Sequence, residues 1–276
     1  MTDLSAHPVH AIPPVGDPYV LGRWHRDRVS ARGYLLEARV ALKALVVRGR
    51  PERFLILARP RSGTTLLYRL LDQVPGLECD GEMLHYAVLR PRGLLDSLAG
   101  RSRARVYGCK LLSYQMFEVQ KIRPEPFFEA LHRDGIRLIH MQRNTFSQSI
   151  SLSTAQGTGE YHAAADAAGT RTEITLDPDR FVQMVRWNLA MLDYERQLLA
   201  PYPHLVVDYD RELADGARHQ SAIDRICGWL GHPTGPVRAD LGRMGARNVV
   251  VNRDALRARL LAEGLGAALD PLKAPE

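Results

Sequence analysis

A short basic loop carrying three hydroxyl side chains is the strongest chemical signal in this chain. It lies within RFLILARPRSGTTLL, residues 53–67, where an apolar stretch precedes the loop and a helix-forming stretch begins at Thr64. A loop between a strand and a helix directs backbone N–H groups and the helix N-terminus at an anion. The pattern therefore predicts a phosphate-binding loop. The residues expected to bind the phosphate are Arg59, Arg61, Ser62, Gly63, Thr64 and Thr65.

The loop lacks the lysine of a nucleotide-hydrolysing P-loop. That motif ends in Gly-Lys-Ser/Thr, in which the lysine reaches the terminal phosphates and the hydroxyl group holds a metal ion. Here Gly63 is followed by Thr64 and Thr65. The loop therefore indicates a phosphate site that does not serve ATP. The alternative is a plain strand-to-helix turn that binds no ligand.

A second anion site is predicted where the apolar segment 136–142 ends. Arg143 follows this segment, Asn144 is suited to cap the next helix, and Ser151 stands eight residues after Arg143. In an open α/β sheet, ligands bind outside the carboxyl ends of the strands, so Arg143 and Arg61 should meet at one crevice. Such a pair of sites suits a ligand with two separate phosphate groups. Alternatively, Arg143 pairs with a carboxylate and the helix serines face solvent.

The composition favours anionic ligands and does not indicate nucleic-acid binding. The 276-residue chain has a formal net charge of +6 and 7% aromatic residues, with neither zinc-finger spacing nor an RNA-binding aromatic motif. A basic surplus fits a phosphorylated small molecule and an anionic membrane face equally well. Three scattered cysteines, Cys79, Cys109 and Cys227, predict neither a disulfide framework nor a metal site. We therefore expect no nucleic-acid partner and no metal.

The N-terminal segments indicate a cytoplasmic protein. Residues 1–16 are polar and contain proline, unlike a signal peptide, and no uncharged apolar run approaches the roughly 18 residues of a membrane span. Residues 33–50 have the period of an amphipathic helix with several basic side chains. This basic helix either packs on the main domain or makes peripheral contact with a membrane surface.

Strand-like and helix-like segments alternate from Arg53 onward, which predicts a parallel sheet covered by helices on both faces. Repeats and a second core are not evident. The expected fold is therefore a single α/β domain over residues 51–276, preceded by an extension, residues 1–50, that carries the basic helix. The clearest strands are expected at residues 54–57, 106–112, 136–142 and 203–209.

Together these segments resemble the sulfotransferases that use 3'-phosphoadenosine 5'-phosphosulfate (PAPS). PRSGTTLL, residues 60–67, is similar to their 5'-phosphosulfate loop, and RNTFSQSIS, residues 143–151, is similar to their 3'-phosphate element. QSISLSTAQGTGEYH, residues 148–162, resembles the bacterial Stf-zero branch, which includes trehalose and lipopolysaccharide sulfotransferases. Two departures are Tyr161, where that branch usually has Trp, and Asp210, where Glu is commoner.

The resemblance implies an enzyme with a P-loop-type three-layer fold and PAPS as co-substrate, without a metal ion. It implies that the loop residues hold the 5' end of the donor, while Arg143, Ser151 and Arg247 bind the 3'-phosphate. The implied acceptor is a hydroxyl group of a carbohydrate or glycolipid, and a homodimer is one expectation because related bacterial enzymes can dimerise. Two alternatives are a P-loop kinase and a non-catalytic descendant that binds a sugar or a partner protein.

The resemblance also suggests which residues perform the reaction. Glu82, in CDGEMLH, is the expected general base, because the bacterial carbohydrate branch carries a Glu just after the first helix, on the loop facing the acceptor. His85 is the competing base, since other sulfotransferases use His. Arg61 is expected to neutralise the charge that builds on the leaving phosphate oxygen. Lys110 is expected to touch the sulfuryl group or the acceptor, and His140 to be a packed core residue.

Overall fold

We describe residues 31–158, 172–239 and 248–270 of the protein from a computed structural model. Helices and strands alternate through these ranges. The elements are, in chain order, α1 (Ala31–Val47), β1 (Glu52–Ala58), α2 (Thr64–Leu71), β2 (Leu77–Glu82), α3 (Pro91–Gly100), β3 (Val106–Leu112), α4 (Pro124–Arg133), β4 (Arg137–Gln142), α5 (Thr145–Thr158), β5 (Thr172–Ile174), α6 (Pro178–Leu199), β6 (His204–Asp208), α7 (His219–Trp229), β7 (Asn248–Val250) and α8 (Arg253–Ala262).

Five strands form one parallel sheet in the order β2-β3-β1-β4-β6, with β1 at its centre. All of β3 and most of β1 are buried, as expected for parallel strands covered on both faces. Right-handed connections place α2 on one face of the sheet and α3, α4 and α6 on the other. The observed packing agrees, because α2 contacts α7 and α4 contacts α6. The predicted α/β fold with a central parallel sheet flanked by helices is confirmed.

The strand order creates a crevice at the carboxyl ends of β1 and β4. These two strands are neighbours, with Ala58 paired to Met141. The chain leaves β1 toward β2 on one side of the sheet, and it leaves β4 toward β6 on the other side. Connections that diverge in this way open a ligand-binding crevice between the two strands. The residues that follow Ala58 and Gln142 therefore lie at the mouth of this crevice.

Strand β2 and helix α3 were not predicted from the sequence. The LECDGE segment of β2 has only two strongly apolar side chains, Leu77 and Cys79, so its alternation is too short to be distinctive. Helix α3 begins with Pro91 and has Gly93 in its first turn. Glu82, which the family resemblance placed in a loop, is the last residue of an edge strand that pairs with β3.

A second, smaller hydrophobic cluster corrects the expectation of a single core. Phe146 of α5 packs there with Phe181 and Val185 of α6 and with Leu256 of α8. Helix α6 joins the two clusters, because its Tyr194 belongs to the main core beneath the sheet. The 22-residue helix α6 therefore spans both clusters and packs against α5.

Helix α1 packs against α3, so the helix within the predicted N-terminal extension is attached to the main domain. In the ranges that the structure describes, every helix falls short of the length and apolar character needed to cross a bilayer. Cys79, Cys109 and Cys227 are all buried and free.

We expect Leu57→Ala to destabilise the protein by about 2–5 kcal/mol, because it removes a fully buried side chain from the central strand. The matched control is Leu261→Ala, where the leucine is 60% exposed and the loss should be within about 0.5 kcal/mol. Urea unfolding followed by circular dichroism measures both changes. Equal losses in the two variants would contradict the buried position of β1.

Candidate functional site

The loop between β1 and α2 has a backbone that only a glycine allows at its last position. Gly63 has φ 88° and begins α2, and a Cβ atom added there would overlap the ring of Tyr209. Arg61 also has a positive φ, 64°. Gln148 of α5 fixes the loop from below: its Nε2 donates to the Pro60 carbonyl at 2.6 Å and to Ser62 Oγ at 3.1 Å. The loop is therefore held in one conformation before any ligand binds.

The two predicted anion motifs meet at this loop, as the sequence predicted. Arg143 Nη1 donates to the Arg61 carbonyl at 2.9 Å, and Arg61 Nε donates to Ser151 Oγ at 3.2 Å. The Arg143 guanidinium also lies over the ring of Tyr209, with its central carbon 4.4 Å from the ring centroid. Tyr209 thus touches both motifs, since the same ring packs on Gly63.

Arg59 lies beneath the crevice and not at its surface. Its side chain is fully buried, where Nη1 donates to the Asn188 carbonyl at 3.0 Å and Nη2 to the Arg143 carbonyl at 3.1 Å. Its Nε is 3.8 Å from Oε2 of Glu195, which is equally buried. Burial lowers the pKa of Arg59 to about 10, and Glu195 partly offsets this. A guanidinium so enclosed supports the backbone around Arg143 and does not reach into the crevice.

Glu195 joins Arg59 to a buried polar network under the sheet. Its Oε1 accepts from Ser113 Oγ, and its Oε2 lies 3.0 Å from His140 Nε2. Gln142 Nε2 donates to His140 Nδ1 at 3.1 Å, so the neutral imidazole carries its proton on Nε2. Burial lowers the pKa of His140, with the neutral form favoured accordingly. The prediction that His140 is a core residue is confirmed, and its polar partners explain why it is tolerated there.

Glu82 and Lys110 form a direct connection to the loop. Lys110 Nζ lies 2.9 Å from Glu82 Oε1 and donates to Thr65 Oγ1 at 3.0 Å. Gln115 Nε2 donates to the other carboxylate oxygen of Glu82 at 3.0 Å. The Lys110 side chain is 5% exposed and that of Glu82 is 24% exposed, so the carboxylate is the part that solvent reaches. The structure therefore brings a carboxylate and an ammonium group to the edge of the phosphate-binding loop.

His85 is close to Glu82 but contacts its backbone. Its Nδ1 lies against the Glu82 carbonyl oxygen, which can only accept, so Nδ1 carries the proton. In the neutral ring, Nε2 is then the nitrogen able to accept another proton. The ring also lies against Tyr86, with the centroids 4.0 Å apart.

The start of α5 is capped as the sequence predicted. The Asn144 side-chain oxygen accepts from the Ser147 amide at 2.9 Å. Beside it is a cavity of about 290 Å³, whose charged lining is mixed: Arg211 and Arg257 face it together with Asp208 and Asp210. Asp208 caps the turn after β6, and burial raises its pKa.

Arg247, expected to bind the 3'-phosphate, lies outside the described residues, as does Tyr161. Among the residues that are described, His, Cys, Asp and Glu side chains form no cluster of three that could hold a metal ion.

Two contributors to the site were not predicted, namely Gln148 and Tyr209. Gln148 lies within the QSIS segment that resembles the Stf-zero branch, three residues before Ser151, and this position is the sequence feature from which its role could have been inferred.

The chain has relatives among curated proteins and solved structures, although no protein-family profile matches it. It is 29% identical to Nodulation protein H of Rhizobium tropici over 189 residues, which cover 55% of this chain and 71% of that protein. A sulfotransferase from Alicyclobacillus acidocaldarius has 15% sequence identity and a TM-score of 0.45, covering 78% of this chain and 96% of that one. Mouse sulfotransferase SULT7A1 complexed with PAP has 13% identity and a TM-score of 0.44, covering 75% and 66%.

We expect Glu195→Leu to destabilise the protein by about 3–5 kcal/mol, because it leaves the Arg59 charge buried without its carboxylate. Adding Arg59→Met to Glu195→Leu should recover most of that loss, since a buried ion pair replaced by apolar side chains is often close to neutral. Chemical unfolding of wild type, both single variants and the double variant gives the coupling free energy. Additive losses would show that the two side chains do not act as a pair.

Proposed function

We propose that the chain is a PAPS-dependent sulfotransferase that moves the sulfuryl group of PAPS to a hydroxyl group of a carbohydrate or glycolipid, a family assignment supported by its motifs and by its 29% identity to Nodulation protein H. The observation that carries the proposal is the contact between Arg143 and the loop at Arg61, which are 82 residues apart. Two cationic side chains held at one crevice repel each other, and a ligand with two anionic groups relieves that repulsion. The run at residues 148–162 supports a place near the bacterial Stf-zero branch.

The residues around the crevice suit the two anionic ends of this donor. We assign the 3'-phosphate to Arg143 and Ser151, with Arg247 as a further cationic partner. We assign the 5' end to the loop, where Arg61 supplies charge and the first turn of α2 supplies backbone N–H groups. Thr64 and Thr65 supply hydroxyl groups, whereas Ser62 and Arg59, which have no exposed surface, position the loop and the Arg143 backbone.

The side chains near the loop have separate tasks in the proposed reaction. When bound, PAPS supplies the sulfuryl group, whose bond to the leaving phosphate oxygen breaks as the acceptor oxygen attacks in line. Glu82 takes the proton from the acceptor hydroxyl group at one of its carboxylate oxygens. Arg61 and the loop amides stabilise the charge left on the phosphate oxygen. Lys110 contacts both Glu82 and Thr65, so it keeps the base at a fixed distance from the donor loop.

Glu82 is favoured over His85 as the base because of the group that each side chain contacts. The Glu82 carboxylate is linked to the donor loop through Lys110, whereas the His85 ring is bonded to the Glu82 backbone. His85 Nε2 remains the competing acceptor of the proton. The turnover numbers of single variants at Glu82 and His85 distinguish the two candidates.

Wild-type protein should bind adenosine 3',5'-bisphosphate in isothermal titration calorimetry. Arg61→Ala and Arg143→Ala should each weaken the affinity about 10- to 100-fold, since each removes charge-assisted hydrogen bonds to phosphate. The matched control is Arg92→Ala, whose guanidinium pairs with Asp134 on the protein surface and should bind as wild type does. If wild type does not bind the nucleotide, or both crevice variants bind as tightly as wild type, the proposal fails.

Glu82→Gln should retain affinity for adenosine 3',5'-bisphosphate but lower the turnover number at least about a hundredfold, the usual contribution of a general base. Transfer of labelled sulfate from PAPS to a responsive glycan or glycolipid measures the rate. The control is Glu78→Gln, on the same strand but bonded to Ser102 instead. Unchanged turnover in Glu82→Gln together with a large loss in His85→Ala would assign the base to His85.

A further inference from the structure

Helix α1 carries an apolar stripe on its outward side. Leu35, Leu42, Leu45 and Val46 are spaced so that they share one face of the helix, and their exposed fractions are 70%, 67%, 70% and 78%. Tyr34 extends the stripe by one more side chain that is 52% exposed. A stripe from Leu35 to Val46 is about 17 Å long at the rise of an α-helix. An apolar surface of this length on one helix is the mark of an interaction site.

The opposite side of α1 is fixed to the domain. Gly33 and Val40 are its buried residues, and the helix packs on α3. The Glu37 carboxylate accepts hydrogen bonds from the amides of Leu89 and Arg90, at 2.8 and 2.7 Å. The orientation of α1 is therefore set by its inner side, and the apolar stripe is presented outward as a consequence.

Basic side chains border the stripe. The exposed cationic residues of α1 and the segment after it are Arg32, Arg39, Lys43, Arg48 and Arg50. Glu37 is the one acidic residue in positions 31–51, and it is engaged with backbone amides on the inner side. The outward surface thus combines an apolar stripe with positive charge. This combination is characteristic of helices that lie in the surface of an anionic bilayer.

We propose that the outward face of α1 docks the protein on an anionic lipid bilayer, with the helix lying in the plane of the membrane surface. Leu35, Leu42, Leu45 and Val46 enter the boundary between headgroups and acyl chains, and the bordering cations contact lipid phosphates. A second copy of the chain is the less suitable occupant. Pairing two α1 faces brings two sets of like charges together, whereas an anionic bilayer neutralises one set.

Docking through α1 also bears on the acceptor, a step that rests on the proposed function. The segment that leaves Glu82 runs through His85 to Leu89 and Arg90, whose amides are held by Glu37 of α1. The proposed base is therefore joined by a short, fixed segment to the helix that meets the membrane. An acceptor whose hydroxyl group projects from a lipid headgroup, a glycolipid, fits this arrangement better than a free oligosaccharide.

Co-sedimentation of the full chain with lipid vesicles tests the docking. Wild type should bind vesicles that contain phosphatidylglycerol, should not bind pure phosphatidylcholine, and should bind less at high salt. Leu42→Glu with Leu45→Glu should lower binding at least about tenfold, because charge enters the apolar stripe. The matched control is Leu261→Glu on α8, which alters a leucine that is 60% exposed and lies outside the stripe, and it should bind as wild type does.

The contribution of charge is tested separately with Arg39→Glu, which should weaken binding at least about fivefold. Arg180→Glu, an exposed arginine on α6, is the control. All variants should keep wild-type melting temperatures and affinity for adenosine 3',5'-bisphosphate, so a loss of vesicle binding is not a loss of fold or donor site. Docking is independent of catalysis in this assay, and it stands even if no sulfate transfer is found.

Three results would overturn the docking proposal. The first is wild-type protein that ignores anionic vesicles. The second is binding that the stripe variant and the Leu261→Glu control lose equally. The third is a dimer, measured by light scattering, that Leu42→Glu with Leu45→Glu dissociates while wild-type vesicle binding is absent, which would assign the face to a second copy.

Discussion

The hydrogen bond from the Arg143 guanidinium to the Arg61 carbonyl is the interaction on which the crevice depends. It joins the loop that follows the central strand to the end of the neighbouring strand. Arg61 continues the connection by donating to Ser151 on α5. Because the two arginines are brought together by backbone and hydroxyl contacts, their charges remain concentrated at one place. A doubly anionic ligand gains from both charges without having to assemble the site itself.

This surface arrangement is maintained by a buried layer of unusual polarity. Arg59, Glu195 and His140 lie under the loop with no exposed surface, although burial of charged groups opposes folding. Their hydrogen bonds are specific in direction: Arg59 holds the backbone carbonyl of Arg143, and Glu195 receives His140 and Ser113. An apolar core could fill the same volume but could not grip a carbonyl oxygen. The network therefore lowers the stability of the folded protein but fixes the position of the Arg143 backbone.

The sequence predicted the parts of the site that local pattern encodes. The loop, the cap at Asn144 and the carboxyl-end position of Arg143 each follow from a few adjacent residues, and parallel strands bring such ends to one edge. Contacts in the protein interior could not be predicted from adjacent residues, as Arg59 illustrates. It was expected to bind phosphate because it is basic and lies in the loop, but its direction depends on Asn188 and Glu195, more than a hundred residues later.

Two further differences have the same origin in long-range packing. Tyr209 lies in a turn after the last strand of the sheet, and nothing near it in sequence reveals that its ring contacts both Gly63 and Arg143. Glu82 was assigned to a loop because the family resemblance implied one there, and the short edge strand that ends with it has too little apolar alternation to be distinctive. Pairing with β3 makes this segment a strand and brings the Glu82 carboxylate to Lys110.

The central claim is that one nucleotide spans the two cationic motifs. A crystal structure of the protein with adenosine 3',5'-bisphosphate tests it most directly. The account predicts one phosphate between Arg143 and Ser151 and the other against the loop amides from Arg61 to Thr65. A nucleotide held by a single phosphate, with the other group in solvent, would contradict it.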